Sequence, residues 1–200
     1  MISIRERIIL FVILSEAKNL IFLLNFSPGV YRKYNFIYGV KMATRVGIIV
    51  LSGTLDKVMP AFIIGTTAAA MGMEVGMFFS FYGLNAIHKE KHKNLKVSPV
   101  GNPAMPMPVP VPQILTIMPG MMDFATSMMK GMMEKHKVPS LEQLIQQAID
   151  LEIKLYPCQT AMTLFGYTID DLIEGVEKPA GAATFLSFVS AGDKSIVLNF

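Results

Sequence analysis

The 200 residues contain a single cysteine. Cys158 lies in the run Leu155-Tyr156-Pro157-Cys158-Gln159-Thr160, where a short apolar stretch passes into a helical pattern. A thiol at the start of a helix meets the positive end of its dipole, which favours the nucleophilic thiolate. The competing reading is an inert thiol, because cysteine is among the residue types most often simply buried. Polar Gln159 and Thr160 tip the reading towards a reactive group. One cysteine rules out an intramolecular disulfide framework, a four-cysteine zinc site and a CxxC pair. A thioredoxin-like motif would need cysteine where Ala161 stands, and a peroxiredoxin would need threonine where Leu155 stands. A Cys–His hydrolase needs a histidine close in space. The only three, His88, His92 and His136, lie in or beside an irregular insertion.

Three weaker constellations accompany the cysteine. Ser52-Gly53-Thr54-Leu55-Asp56-Lys57 follows the first apolar run, where a doubly wound sheet can hold an anion on backbone amides. It matches neither a Walker motif nor GxGxxG, so it also reads as a plain helix cap, and no cofactor is expected. His88 and His92 stand four apart, the spacing of helical metal ligands. They are embedded in HKEKHK, which a solvated basic edge explains, so no metal site is expected. Nine of the 16 methionines fall within 105–133. Thioethers suit soft metals, but an adaptable apolar surface is the simpler reading.

The elements that must position these groups follow from periodicity. Arg45–Leu51 is an almost wholly apolar, β-branched run, the pattern of a strand covered on both faces. Leu55–Met71 reads as a helix ended by Gly72, with Pro60 near its first turn. Glu74–Tyr82 reads as a second buried strand, which completes a βαβ unit. After a helical turn at 83–88, seven prolines between Pro99 and Pro119 forbid helix and central strand. Met121–His136 then places its methionine pairs on one wide apolar helix face. Ser140 and Gln143 have capping-box spacing for a helix to Leu151. Ile153–Tyr156 reads as a strand, Gln159–Phe165 as a helix and Thr168–Glu174 as a short capped helix. Ala180–Ala191 reads as a further helix and Lys194–Phe200 as a closing strand. This order predicts an α/β domain, a mostly parallel sheet with helices on both faces.

With 52% hydrophobic and 16% charged residues the chain is no disordered, highly charged tail. Its formal charge of +3 is not evenly spread. Residues 1–41 hold six basic and two acidic side chains, which leaves 12 basic and 13 acidic in residues 42–200. The domain itself is therefore near neutral, and nucleic acid is not an expected partner. The apolar runs Ile8–Leu14 and Leu20–Phe26 are split by Glu16 and Lys18, which makes a poor spanning helix and a poor secretory signal. Residues 1–41 read as an extension, poorly structured or foreign to the natural product. Residues 42–200 read as one domain with a Pro/Met-rich insertion at about 89–137.

Four blocks in order around one cysteine carry a family resemblance: SGTLDKVMPAFIIGTTAAAMGMEVGMFFSFYGL, the Met-rich insertion, KLYPCQTAM, and FGYTIDDLIEGVE. Together they resemble the DsrE/DsrF-like family, most of all its subgroup with a Met-rich insertion, often labelled peroxiredoxin-family. The resemblance implies a flavodoxin-like three-layer α/β/α fold with about five strands, homo-oligomeric assembly and sulfur trafficking. It implies a cytoplasmic sulfur carrier or sulfurtransferase that takes sulfane sulfur from a donor onto Cys158 and passes it to an acceptor protein thiol. Gly53, Thr54, Asp56, Lys57, Gln159 and Thr160 would line the site, the loop by packing or anion contact. The alternative is a membrane-associated or scaffold protein that docks through its Met-rich insertion.

Overall fold

The computed structural model describes residues 44–98 and 120–200. The expectations for residues 1–41 and for the proline-rich stretch 99–119 lie outside these residues. Four strands form one parallel sheet: β1 (Thr44–Val50), β2 (Glu74–Phe79), β3 (Lys154–Pro157) and β4 (Lys194–Asn199), in the order β3-β2-β1-β4. The helices are α1 (Leu55–Ala70), α2 (Met121–Lys135), α3 (Leu141–Asp150), α4 (Gln159–Phe165) and α5 (Ala182–Ser190). The α/β class is thus as the periodicity predicts, with four strands rather than about five. Beside β3 an irregular segment takes the place of the fifth. Its backbone meets the end of the strand at the isolated bridges Leu155–Val176 and Cys158–Ala180.

Strand alternation explains which helix covers which face. Val46, Ile48, Val50, Met77, Phe79 and Leu155 are buried on the α1 side, where Phe62 meets Phe79 with ring centroids 5.9 Å apart. The opposite face is built around Gly47 and Gly76, which are register partners on β1 and β2. A Cβ on Gly47 would lie 2.5 Å from Val189 Cγ2, and one on Gly76 would lie 2.6 Å from Phe188 Cε1. The paired glycines form a trough into which α5 lowers its aromatic side chains. Phe185 stacks on Phe78 at 5.2 Å, and Phe188 meets Tyr156 at 5.9 Å. Arg45 adds a polar tie at the other end of β1: its guanidinium donates to Glu74 Oε2 at 2.7 Å and to the Phe188 carbonyl at 2.6 Å.

Several boundaries differ from the periodic reading. β2 stops at Phe79, and Phe81–Ile87 is a 3-10 helix. The cause is a close approach at the strand exit, where Ser80 N–H donates to the Val50 carbonyl at 3.0 Å and Gly83 N–H to the Leu51 carbonyl at 3.0 Å. Pro60 falls in the second turn of α1, where the Asp56 carbonyl loses its usual helical donor. The helix expected at Thr168–Glu174 is one 3-10 turn, Ile169–Asp171, held by a Thr168–Asp171 capping box. α5 begins two residues after Ala180, which is engaged by the bridge to Cys158. The Ser140–Gln143 capping box is present as its spacing predicts. α2 docks through Ala125, Thr126, Met129 and Met133, a narrower stripe than its methionine pairs suggest, and Phe124 stays exposed. Among the described residues no helix is long and apolar enough to cross a membrane.

Two glycines test this packing in opposite directions. A Cβ on Gly83 would lie 2.0 Å from the Val50 carbonyl oxygen, a backbone atom that cannot turn away. Gly83→Ala is expected to destabilise the fold by about 3 kcal/mol or more, the upper end for overpacking. Gly131, inside α2, has nothing within 4 Å of that position. Gly131→Ala is expected to stabilise by about 0.5–1 kcal/mol. Urea unfolding of both variants beside the wild type measures the contrast, and shifts of the same sign would contradict it.

Candidate functional site

Cys158 is the N-cap of α4, one residue past β3, in extended backbone conformation. Its N–H donates to the Phe79 carbonyl at 2.9 Å and its carbonyl accepts from Met162 N–H at 2.9 Å. The next residue, Gln159, donates its N–H to the Ala180 carbonyl at 3.1 Å. These bonds hold the thiol at the carboxyl edge of the sheet, between the exit of β2 and the entry to α5. Pro157 is the register partner of Phe79 on the α1 face, so alternation turns Cys158 to the α5 face. Cys158 is buried, with 8% of its surface exposed, whereas Gln159 and Thr160 are exposed.

The Ser52–Lys57 loop lies on the same edge but two strands away and leads into α1 on the other face. Several amides at the start of α1 are engaged. Thr54 N–H donates to Ser52 Oγ at 3.3 Å, Leu55 N–H to the Lys96 carbonyl at 2.8 Å, and Lys57 and Val58 N–H to the Thr54 carbonyl at 3.1 and 3.0 Å. Thr54 is the N-cap by position, yet its side chain makes no capping bond and instead meets Ser52 Oγ at 3.0 Å. Asp56 Oδ1 accepts from Ser98 N–H at 2.8 Å, and Lys57 is exposed. Gly53 is required by space, since a Cβ there would lie 2.5 Å from the Tyr82 carbonyl oxygen.

Residues 95–98 therefore act as a strap, which sequence reasoning missed. Leu95 and Val97 are buried, Val97 N–H donates to Thr126 Oγ1 at 3.1 Å, and Lys96 pairs with Asp123 at 2.7 Å. The strap joins the first turn of α1 to α2, and the buried alternation Leu95-x-Val97 was its only signal. The Ala180–Thr184 segment beside the cysteine was missed too. Gly181, Ala182 and Ala183 are small and exposed where α5 begins. A run of small residues ahead of an apolar helix was the available clue.

An aromatic and cationic cluster fixes the far end of α4. Phe165 lies 5.7 Å from both Tyr82 and Tyr167, and His88 meets Tyr167 edge-on at 5.0 Å. Tyr167 accepts from the Lys91 ammonium and donates to Asn85 Oδ1 at 3.1 Å. The histidine pair is occupied by backbone: His88 Nδ1 accepts from Glu90 N–H at 3.2 Å, and His92 Nδ1 donates to the His88 carbonyl at 2.8 Å. Burial, then the Lys91 ammonium, holds His88 below the ordinary imidazole range, while Asp171 and Glu90 pull it back. The unfolded chain then takes the proton more readily than the folded one. Stability from this source is complete above about pH 6.5 and falls as the pH drops towards the folded-state value. The melting temperature of the wild type is expected to decline from pH 8 to pH 5.5 more steeply than that of His88→Asn, which keeps an acceptor but does not titrate. Parallel curves would contradict this assignment.

With the geometry in place, comparison with known proteins gives the lineage. The sequence profile of the DsrE/DsrF/DrsH-like family matches residues 42–197. The chain is 42% identical over 158 residues to "Sulfur carrier protein DsrE2" of Allochromatium vinosum, a match that spans 77% of this chain and 96% of that one. It is 32% identical over 160 residues to YrkE of Bacillus subtilis, again across 77% of this chain and 96% of the relative. The crystal structure of the ychN protein from E. coli superposes with a TM-score of 0.44 at 12% identity, over 78% of this chain and 99% of that one. From the profile match and the two relatives, the chain belongs to the DsrE/DsrF/DrsH-like family.

Proposed function

We propose that this chain is a sulfur carrier that holds sulfane sulfur on Cys158 and passes it to the thiol of a partner protein, in the cytoplasm. The observation that carries this reading is the 42% identity to a relative named a sulfur carrier. A cysteine-borne load has one place to sit, because Cys158 is the only thiol in 200 residues. The loading step is a displacement. Cys158 thiolate attacks the outer sulfur of a donor persulfide, a new S–S bond forms, the donor's S–S bond breaks, and the electron pair leaves with the donor thiolate. With tetrathionate the same attack leaves a thiosulfonate on Cys158 and releases thiosulfate.

Unloading reverses the roles. An acceptor thiolate takes the outer sulfur and Cys158 leaves as thiolate. With no second cysteine in the chain, internal relay is excluded and each transfer is intermolecular. Burial of Cys158 suits storage, since a load held there is sheltered from small thiols in water. The first turn of α5, beside the Cys158–Ala180 bridge, favours the negative charge of a persulfide or thiosulfonate. Gln159 and Thr160 flank the thiol at the surface, and Gly53, Thr54, Asp56 and Lys57 support the strand-end edge through packing.

Intact-mass measurement tests the reading. After incubation with glutathione persulfide or tetrathionate, the wild type is expected to gain one load that dithiothreitol removes once the protein is unfolded, and Cys158→Ser is expected to gain none. An unmodified wild type, or equal adducts on both proteins, would overturn it.

A further inference from the structure

β4 forms one border of the sheet, and among the described residues nothing pairs with its outer edge. A free strand edge templates further pairing, and proteins ordinarily blunt one with charge, proline or a bulge. β4 carries a single charge, Lys194, at its first position, while its centre is Ile196, 43% exposed, and Val197, 52% exposed. The direction of each backbone group follows from the bonds at the strand's end. Phe200 N–H donates to the Ile49 carbonyl and Leu51 N–H to the Phe200 carbonyl, both at 2.9 Å, so Phe200 turns its backbone towards β1. By alternation Lys194, Ile196 and Leu198 do the same. Ser195, Val197 and Asn199 therefore present N–H and C=O outward.

We propose that this edge is an interface between two copies of the chain, which pair β4 with β4 antiparallel about a two-fold axis at Val197 and extend the sheet from four strands to eight. Hydrogen-bonded positions of an antiparallel ladder must join outward-facing residues. With Val197 opposite its own copy, Ser195 falls opposite Asn199 twice by symmetry, and all three are outward-facing. The intervening positions set Ile196 against Leu198 on the α1 face, and Lys194 against Phe200. At the three central kinds of position apolar meets apolar (Val197 with Val197, Ile196 with Leu198) and polar meets polar (Ser195 with Asn199), only the end pair Lys194–Phe200 is mixed, and no like charges oppose. Parallel pairing in register would set Lys194 against Lys194 and is not closed by a two-fold. An axis at Ile196 would aim backbone groups already bonded to β1 at the partner, and a two-residue shift shortens the ladder.

Light scattering on the full chain across a concentration series tests the interface. The wild type is expected to assemble in multiples of two. Val197→Lys and Val197→Pro are expected to halve the mass and raise the dissociation constant at least tenfold, with an unchanged circular dichroism spectrum. Neither variant touches a bond to β1, whereas Ile196→Pro removes one and serves as the unfolding control. Equal masses for wild type and Val197→Lys overturn the proposal: monomers in both mean that the edge is covered within one chain or by a different partner, and oligomers in both put the contact elsewhere. Should the variants fail to fold, Val197→Cys in a Cys158→Ser background supplies the decisive result. The Cα atoms of a bonded antiparallel pair lie about 5.5 Å apart, within disulfide reach. Oxidation is expected to give a covalent dimer, and its absence overturns the proposal.

Discussion

The close approach of the chain leaving β2 to the end of β1 is the constraint on which the carboxyl edge of the sheet depends. Ser80 and Gly83 donate to the Val50 and Leu51 carbonyls, and Gly83 has no room for a side chain against Val50. The segment is thereby pressed across the strand ends instead of continuing as a strand. Phe81 takes a φ of +46° and is 53% exposed. A bulky residue in that region carries strain of about 1 kcal/mol or more, which the flanking hydrogen bonds offset. Two residues before Phe81, the Phe79 carbonyl accepts from Cys158 N–H. The position of the thiol is thus set by β2, the central strand between β3 and β1, more than by the seven-residue helix it caps.

A second consequence concerns which face the thiol occupies. α1, α3 and α4 belong to successive crossovers that step from β1 to β2, to β3 and to the bridged segment beyond it, and α5 alone returns the chain to β4. Right-handed crossovers place helices that step in opposite directions on opposite faces. Gly47 and Gly76 let the α5 rings close on the sheet, and that draws the start of α5 to Ala180 and so to Cys158. The Ser52–Lys57 loop serves the opposite layer. Of the helix-start amides, which elsewhere on this architecture face a ligand, those of Leu55 and Lys57 bond to the strap at residues 95–98 and to the loop's own turn.

Local chemistry was legible in the sequence and relations between distant segments were not. β1, α1 and α4 follow from periodicity, and the α3 cap from Ser140 and Gln143, because each is decided within a few residues. The end of β2 was misread because the apolar run continues through Phe81 and Tyr82, while the stop is imposed by the Val50 and Leu51 carbonyls some 30 residues away in the chain. Periodicity names four strands, as found, and the count of about five came with the resemblance; residues 176–180 run beside β3 but bond it only at isolated points. The position of Cys158 at a strand-to-helix junction was readable from Pro157 and the flanking pattern. Its burial was not, since that depends on β2 and on the bridge to Ala180.

A buried sole cysteine imposes a particular logic on sulfur transfer. A carrier with a second thiol could release its load by closing an internal disulfide, and the timing of release would belong to the chain itself. On the proposed function, release from Cys158 would require a foreign thiol in line with its S–S bond, at an edge where the backbone on both sides is hydrogen-bonded in place. Opening the site therefore costs some of those bonds, at about 0.5–1.5 kcal/mol each, unless an incoming surface replaces them. Small thiols offer few replacement contacts and a protein offers many. The same bonds that fix the thiol would then discriminate between acceptors by the contacts they bring, without a dedicated binding pocket. That discrimination would come from the edge as a whole, and through it the packing of β2 against β1 would bear on transfer at Cys158.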